Sequence, residues 1–259
     1  LTIDRSVFDY LYERNRVQGS SKAAWRRRFK EARCVYHLVL DHKQSVALAQ
    51  ELVDEQAAQS VAQSLAANGA TLALFCHVGF VRPTMAFLKT LAPNSLVYGS
   101  RDGPTTINAK SNARAALFAG LKALQQNQPV LIASDGTHGN LDGEITLLGQ
   151  PYKVGTGAAW LAFETKCHLG WLRMRHQQGY FVPELIEGPK RRDGEDYAGF
   201  RTRFLHFYEQ MMEDQLTGDP ADLVLTRKWQ KLVIDYCKTR KVGGASDGLS
   251  RQPRPAAVA

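Results

Sequence analysis

Two short turns hold the residue types from which catalytic chemistry could be built. An apolar run from Ala70 to Cys76 ends at His77-Val78-Gly79, and a second from Pro129 to Ala133 ends at Ser134-Asp135-Gly136, with Thr137, His138 and Gly139 following. An imidazole in such a place can act as a general base near neutral pH. Both turns also admit a bland account: a histidine after an apolar strand is commonly a hydrogen-bonded structural residue, and Asp-Gly and His-Gly pairs suit tight turns. The Cys76 thiol is next to His77 in the chain, but neighbours on a strand point to opposite faces, so it is expected to turn away from the imidazole rather than act as a nucleophile. His138 and Asp142 are two potential metal ligands without a third, so no metal site is expected. The glycines between Gly149 and Gly157 lack the spacing of a nucleotide loop.

The elements that must position these turns are read from periodicity. Ala70 to Cys76 is apolar throughout, as a central parallel strand covered on both faces should be. Ser95 to Tyr98 and Pro129 to Ala133 read as further strands, with helices from about Pro83 to Leu91 and from Ala109 to Gln126 between them. A helix over Asp54 to Ala67 precedes the first strand and is stopped by Asn68-Gly69. A third turn, Leu148 to Gly157, leads into a helix from Ala158 to Thr165. Leu169 to Met174 and Tyr180 to Ile186 are expected to pair antiparallel around Gln177-Gln178-Gly179. Lys190-Arg191-Arg192 reads as a solvated hairpin tip, Tyr197 to Leu216 as a helix, and Leu225 to Cys237 as a basic amphipathic stretch. Strands alternating with helices predict a single layered α/β domain with a central, largely parallel sheet flanked by helices, whose ligands bind beyond the C-terminal strand ends. Residues 1–53 are expected to form an N-terminal helical segment packed on the core, 54–242 the α/β domain and 243–259 a loosely held tail.

The 259 residues carry 33 Lys plus Arg against 25 Asp plus Glu, with 44% hydrophobic and 22% charged residues, which excludes disorder, collagen and coiled coil. Cys34, Cys76, Cys167 and Cys237 are scattered and form no CxxC pair, and they read as buried thiols in a reducing compartment. No apolar run reaches the length needed to cross a bilayer. The first residue is Leu1 rather than Met, which leaves an upstream anchor or signal an open question. A net charge of +8 suits an anionic partner: phosphates, anionic headgroups or an acidic carrier protein. Trp25-Arg26-Arg27-Arg28-Phe29 reads either as a contact to a membrane surface or phosphate, or as a solvated helix face with two core anchors. Beyond it no aromatic-basic motif suggests nucleic-acid binding.

The order of these blocks resembles the lysophospholipid acyltransferase superfamily, and within it the lipid A biosynthesis (lauroyl/myristoyl) acyltransferases. There an apolar strand ends in a histidine followed five residues later by Glu or Asp, as Leu72 to Cys76 leads here into His77. Asp135-Gly136-Thr137-His138-Gly139 is similar to the family's second block, and Leu147 through Pro151 to Thr156-Gly157 to its later segment. The final strands and a helix ending near Arg227-Lys228-Trp229 follow the same order, so the likeness spans about residues 50 to 232.

The resemblance implies an acyltransferase-like fold and transfer of an acyl group from an acyl carrier protein or coenzyme A thioester to a hydroxyl or amine of a small-molecule or lipid acceptor. The thioester is a co-substrate and no cofactor is implied. It also implies a cytoplasmic protein, either soluble or peripheral to the inner face of the membrane. His77 would be the base, with Gly79, Arg82, Gly136, Thr137, His138 and Lys153 binding substrate, and backbone N–H groups near Gly79 or Gly136 serving as oxyanion donors. The chain departs from the pattern where Arg82 stands at the position of the carboxylate, since a guanidinium has only donors and cannot accept from imidazole. Either another carboxylate substitutes, Asp135 being best placed by strand order with Asp142 and Glu144 next, or the chemistry has changed. His138 replaces the second-block arginine that grips phosphate, which favours a weakly phosphorylated or unphosphorylated acceptor and an enzyme making a specialised amide or ester. The rival expectations are a non-catalytic lipid- or acyl-binding member of the fold and a thioester hydrolase.

Overall fold

The computed structural model describes residues 51–67, 69–78, 94–99, 105–110, 112–135 and 141–218, with isolated positions at 21–24, 26, 27, 30, 84, 222, 229 and 231. The expected C-terminal tail, most of the N-terminal helical segment, the helix from Pro83 (apart from helical Thr84) and most of the basic stretch from Leu225 lie outside them, as do Cys34 and Cys237. Of the Trp25 to Phe29 segment, Arg26 and Arg27 are described, both helical and exposed.

The chain is an α/β protein built on a six-stranded, mostly parallel sheet. Helix α1 (Glu55–Ala67) begins where Asp54 accepts the Ala57 N–H at 2.8 Å, an N-cap interaction, and buries Ala58, Val61 and Leu65 at helical spacing. Gly69, with φ +66°, supplies the left-handed turn that ends the segment. Strand β1 (Thr71–Phe75) is buried at every position, because it lies between β4 (Val130–Ala133) and β7 (His168–Gln177), parallel to both. Strands β2 (Leu96–Gly99) and β3 (Thr106–Asn108) extend the sheet on one side and β8 (Tyr180–Glu187), the antiparallel edge, on the other, in the order β3-β2-β4-β1-β7-β8. Gln178 and Gly179, at φ 51° and 89°, make the two-residue turn between β7 and β8.

Three expectations are corrected. The helix read from Ala109 starts later, as α2 (Ala113–Gln125): Asn112 caps it by accepting the Ala115 N–H at 2.9 Å, and the residues before it form β3, which pairs with β2. The stretch from Leu148 to Gly157 is not one long turn. Strands β5 (Gly143–Leu147) and β6 (Gln150–Val154) form a separate hairpin about Leu148 and Gly149, both at positive φ, before α3 (Gly157–Thr165). Lys190-Arg191-Arg192 joins β8 to α4 (Tyr197–Thr217) rather than capping a hairpin, and the Arg191 guanidinium lies 3.7 Å over the Phe163 ring while donating to the Phe163 carbonyl.

The core fills the space between the sheet and helices α2, α3 and α4. Leu72, Leu74, Leu169 and Trp171 of the sheet meet Ala159, Leu161, Phe200, Phe204, Tyr208 and Met212, and the Leu, Phe and Met side chains among them stabilise by roughly 1.5–3 kcal/mol each when fully buried. Helix α4 also holds the hairpin through its flank: Glu209 accepts the Thr146 N–H at 2.8 Å and Glu213, one turn on, the Leu148 N–H at 3.1 Å. Among the described residues no helix is long and apolar enough to cross a membrane.

A close approach fixes α2 on the sheet. The Tyr98 hydroxyl donates to the Ala116 carbonyl at 2.7 Å, and a Cβ on Gly120 would come within 2.2 Å of the Tyr98 hydroxyl oxygen. Gly120→Ala is therefore expected to destabilise the protein by about 1–3 kcal/mol despite the better helix propensity of alanine. Tyr98→Phe in the same chain should recover part of that loss, as measured by denaturant unfolding of the single and double variants.

Candidate active site

The register of β1 against β4 brings the two turns together. Phe75 is paired with Ala133, so the positions two residues beyond each, His77 and Asp135, emerge side by side at the C-terminal edge. Ser134 continues the ladder, its N–H and hydroxyl both donating to the Phe75 carbonyl. The chain leaves β1 for β2 and leaves β4 for β7, in opposite directions across the sheet, which is the switch point where open α/β sheets hold ligands.

His77 Nδ1 lies 2.8 Å from Asp135 Oδ1, and the His77 backbone N–H donates to Oδ2 at 2.9 Å. One carboxylate thus holds the residue by main chain and ring at once. Oδ2 also accepts the Trp229 indole N–H at 3.0 Å. Neither of those two donors can accept in return, so the carboxylate acts as acceptor, Nδ1 carries the ring proton, and Nε2 becomes the basic nitrogen of the neutral imidazole. The asymmetry in burial matches these roles: the Asp135 side chain is 1% exposed and that of His77 46%. A water-excluded carboxylate orients an imidazole that still faces the solvent side of the sheet edge.

Beneath the pair the surroundings are dense and aromatic. Trp229 is buried and stacks on Tyr152 of β6, ring centroids 5.2 Å apart, which ties the hairpin to the dyad. Tyr208 of α4 is fully enclosed, edge-on to Trp171, and burial, reinforced by the nearby Asp135 charge, pushes its phenol well above the ordinary range. The Cys76 thiol points into this interior and donates to Gln215 Oε1 at 3.2 Å, away from the imidazole, as strand alternation requires.

The other candidate carboxylates have different partners. Asp142 accepts the Thr156 N–H at 3.1 Å and its hydroxyl at 2.7 Å, fastening the start of β5 to the start of α3. Burial by itself would raise the Asp142 carboxyl, but the Thr156 hydrogen bonds and the Arg201 guanidinium outweigh it and hold the group below its ordinary value. Glu144 pairs with Lys153 at 2.7 Å across the exposed face of the hairpin, so Lys153 is engaged there rather than by the dyad. Gly79, Arg82, Gly136, Thr137 and His138 lie outside the described residues. Among the described residues no three His, Cys, Asp or Glu side chains gather as a metal ion would require.

The structure thus brings together His77 and Asp135 and adds Trp229, Tyr152, Tyr208 and Gln215, which reasoning from the sequence did not place there. A tryptophan, whose donor usually finds an acceptor when buried, was the one available signal, and it does not say which acceptor. Compared with known proteins, the chain matches no family model and no curated sequence.

Because the folded Asp142 lies below its unfolded value, its contribution to stability is complete above the unfolded value, about pH 3.9, and is lost as pH falls through the folded one. Asp142→Asn should lower stability at neutral pH by about 0.5–1 kcal/mol, a figure discounted for solvent screening. The gap between variant and wild type should close in strongly acidic buffer, as followed by urea unfolding at several pH values.

Proposed function

We propose that this protein is an acyltransferase similar to the lysophospholipid acyltransferases, lipid A branch included, that moves an acyl group from a carrier-protein or coenzyme A thioester to a hydroxyl or amine. The observation that carries this reading is the 2.8 Å contact between His77 Nδ1 and Asp135 Oδ1. The family pattern supplies the carboxylate five residues after the histidine, where this chain has Arg82; the neighbouring strand supplies it here instead.

The chemistry follows from the tautomer. As the acceptor oxygen or nitrogen attacks the thioester carbonyl carbon, its proton passes to Nε2, and the imidazolium so formed is stabilised by Asp135. When the tetrahedral species collapses the carbon–sulfur bond breaks, and Nε2 returns the proton to the departing thiolate. Backbone N–H groups near Gly79 or Gly136 are the proposed oxyanion donors. Arg82, with donors in a fork, is proposed to grip an anionic group of the substrate.

Incubation with a panel of acyl thioesters, with and without hydroxyl and amine acceptors, tests the proposal by mass spectrometry of products and free thiol. Acceptor-dependent acylation is expected. Thiol release without acceptor would identify a hydrolase, and tight binding with neither product an acyl-binding protein. His77→Ala should reduce turnover on the order of 10²- to 10⁴-fold with the fold intact. Asp135→Asn should fall in the same range, about 10²- to 10⁴-fold, because an amide that accepts from the two N–H groups turns its own donors toward Nδ1 and imposes the wrong tautomer. Wild-type rates in either folded variant would overturn the assignment.

The surplus of basic over acidic residues supports an anionic partner, proposed to be the carrier protein or the headgroups of a membrane surface. Association with carrier protein or with anionic vesicles should weaken as salt is raised from 0.05 to 0.5 M, roughly in step with the shrinking screening length, in a co-sedimentation assay.

A further inference from the structure

Asp135 Oδ2 receives two donors at nearly equal distances, the His77 backbone N–H at 2.9 Å and the Trp229 indole N–H at 3.0 Å, while Oδ1 faces His77 Nδ1. The first donor comes from the residue being positioned. The second comes from 94 residues away, on a side chain 1% exposed and stacked on Tyr152 at an interplanar angle of 28°. An indole is donor only, so it can neither take a proton from the dyad nor compete for the one on Nδ1. Its bulk covers the carboxylate and keeps water from supplying the same bond in a variable geometry.

We propose that Trp229 is a positioning residue of the dyad, fixing the rotation of the Asp135 carboxylate and restraining its pull on the imidazole. The proposal rests, for its kinetic consequence, on the reading of His77 as the base; its electrostatic consequence does not. Removing the indole donor leaves more of the carboxylate charge directed at the ring, which favours imidazolium and makes His77 titrate at higher pH. Among the described residues the other titratable groups around the carboxylate are the Cys76 thiol at the end of β1, Tyr152 from the hairpin and Tyr208 from α4. Of these, the Tyr208 phenol is pushed well above its ordinary value by burial and carries no charge near neutral pH.

Trp229→Phe keeps a ring on Tyr152 and deletes the N–H. Site-specific replacement of Trp229 by benzothienylalanine, which has the same bicyclic outline with sulfur in place of N–H, does so without opening a cavity. In both variants the His77 ring resonances followed by NMR should titrate about 0.5–1 pH unit higher than in the wild type, a fraction of what one hydrogen bond to a charged acceptor contributes. With an acyl thioester and acceptor in hand, kcat should fall about 3- to 10-fold with little change in KM, and the acidic limb of the pH profile should move up with the titration. If Trp229 merely fills space, the benzothienyl variant will titrate like the wild type, which overturns the proposal. A shifted titration in a protein that transfers no acyl group would instead overturn the catalytic reading and leave the positioning role standing.

Discussion

A carboxylate with 1% exposure is stable as an ion only if donors replace the water it has lost, and the fold around Asp135 is arranged to provide them. They come from three directions: the main chain at the end of β1, the ring of the same residue, and an indole distant in sequence. Each donor also fixes the element that bears it. The strand ends must stay in register, the β1 turn must keep its shape, and Trp229 must remain seated on the hairpin. Loosening any one leaves part of a buried charge unsatisfied, which is far less favourable than losing an exposed hydrogen bond.

The hairpin β5–β6 explains how so small a parallel sheet encloses that charge. It stands outside the main sheet and is held from one side by Glu209 and Glu213 of α4, which accept backbone N–H groups of Thr146 and Leu148. Its inward residue Tyr152 offers the ring against which Trp229 lies, while its outward pair, Glu144 and Lys153, meets solvent. Asp142 clamps the hairpin to the beginning of α3 through Thr156, and Tyr197 at the start of α4 reaches toward the same threonine. Of the carboxylates that compete for attention in the sequence, Asp135 faces the imidazole, Asp142 docks the hairpin, and Glu144 pairs with Lys153 across its exposed face.

The carboxylate that meets His77 stands at the end of the neighbouring strand β4 rather than on the turn after β1. This makes the ring orientation depend on strand register, a property of the whole sheet, rather than on the conformation of one loop.

Much of the fold was legible because its signals are local. The apolar run at 70–76 marks a strand covered on both faces, Asp54 and Gly69 mark the ends of α1, and Gln178-Gly179 marks the edge hairpin; each depends on a side chain and its own backbone. Placing His77 and Asp135 at strand ends followed in the same way, and strand order made Asp135 the preferred partner. What the sequence could not decide depends on pairing at a distance. Thr106–Asn108 is too short to announce a strand without its neighbour β2, and Gln150–Val154 reads as part of a turn from Leu148 to Gly157 because a hairpin detached from the main sheet lacks a continuous apolar run. Arg191 looks solvated until Phe163 is brought beneath it. The indole at Trp229 has one donor and many candidate acceptors along the chain, and only the packing of its ring against Tyr152 of β6 selects Asp135.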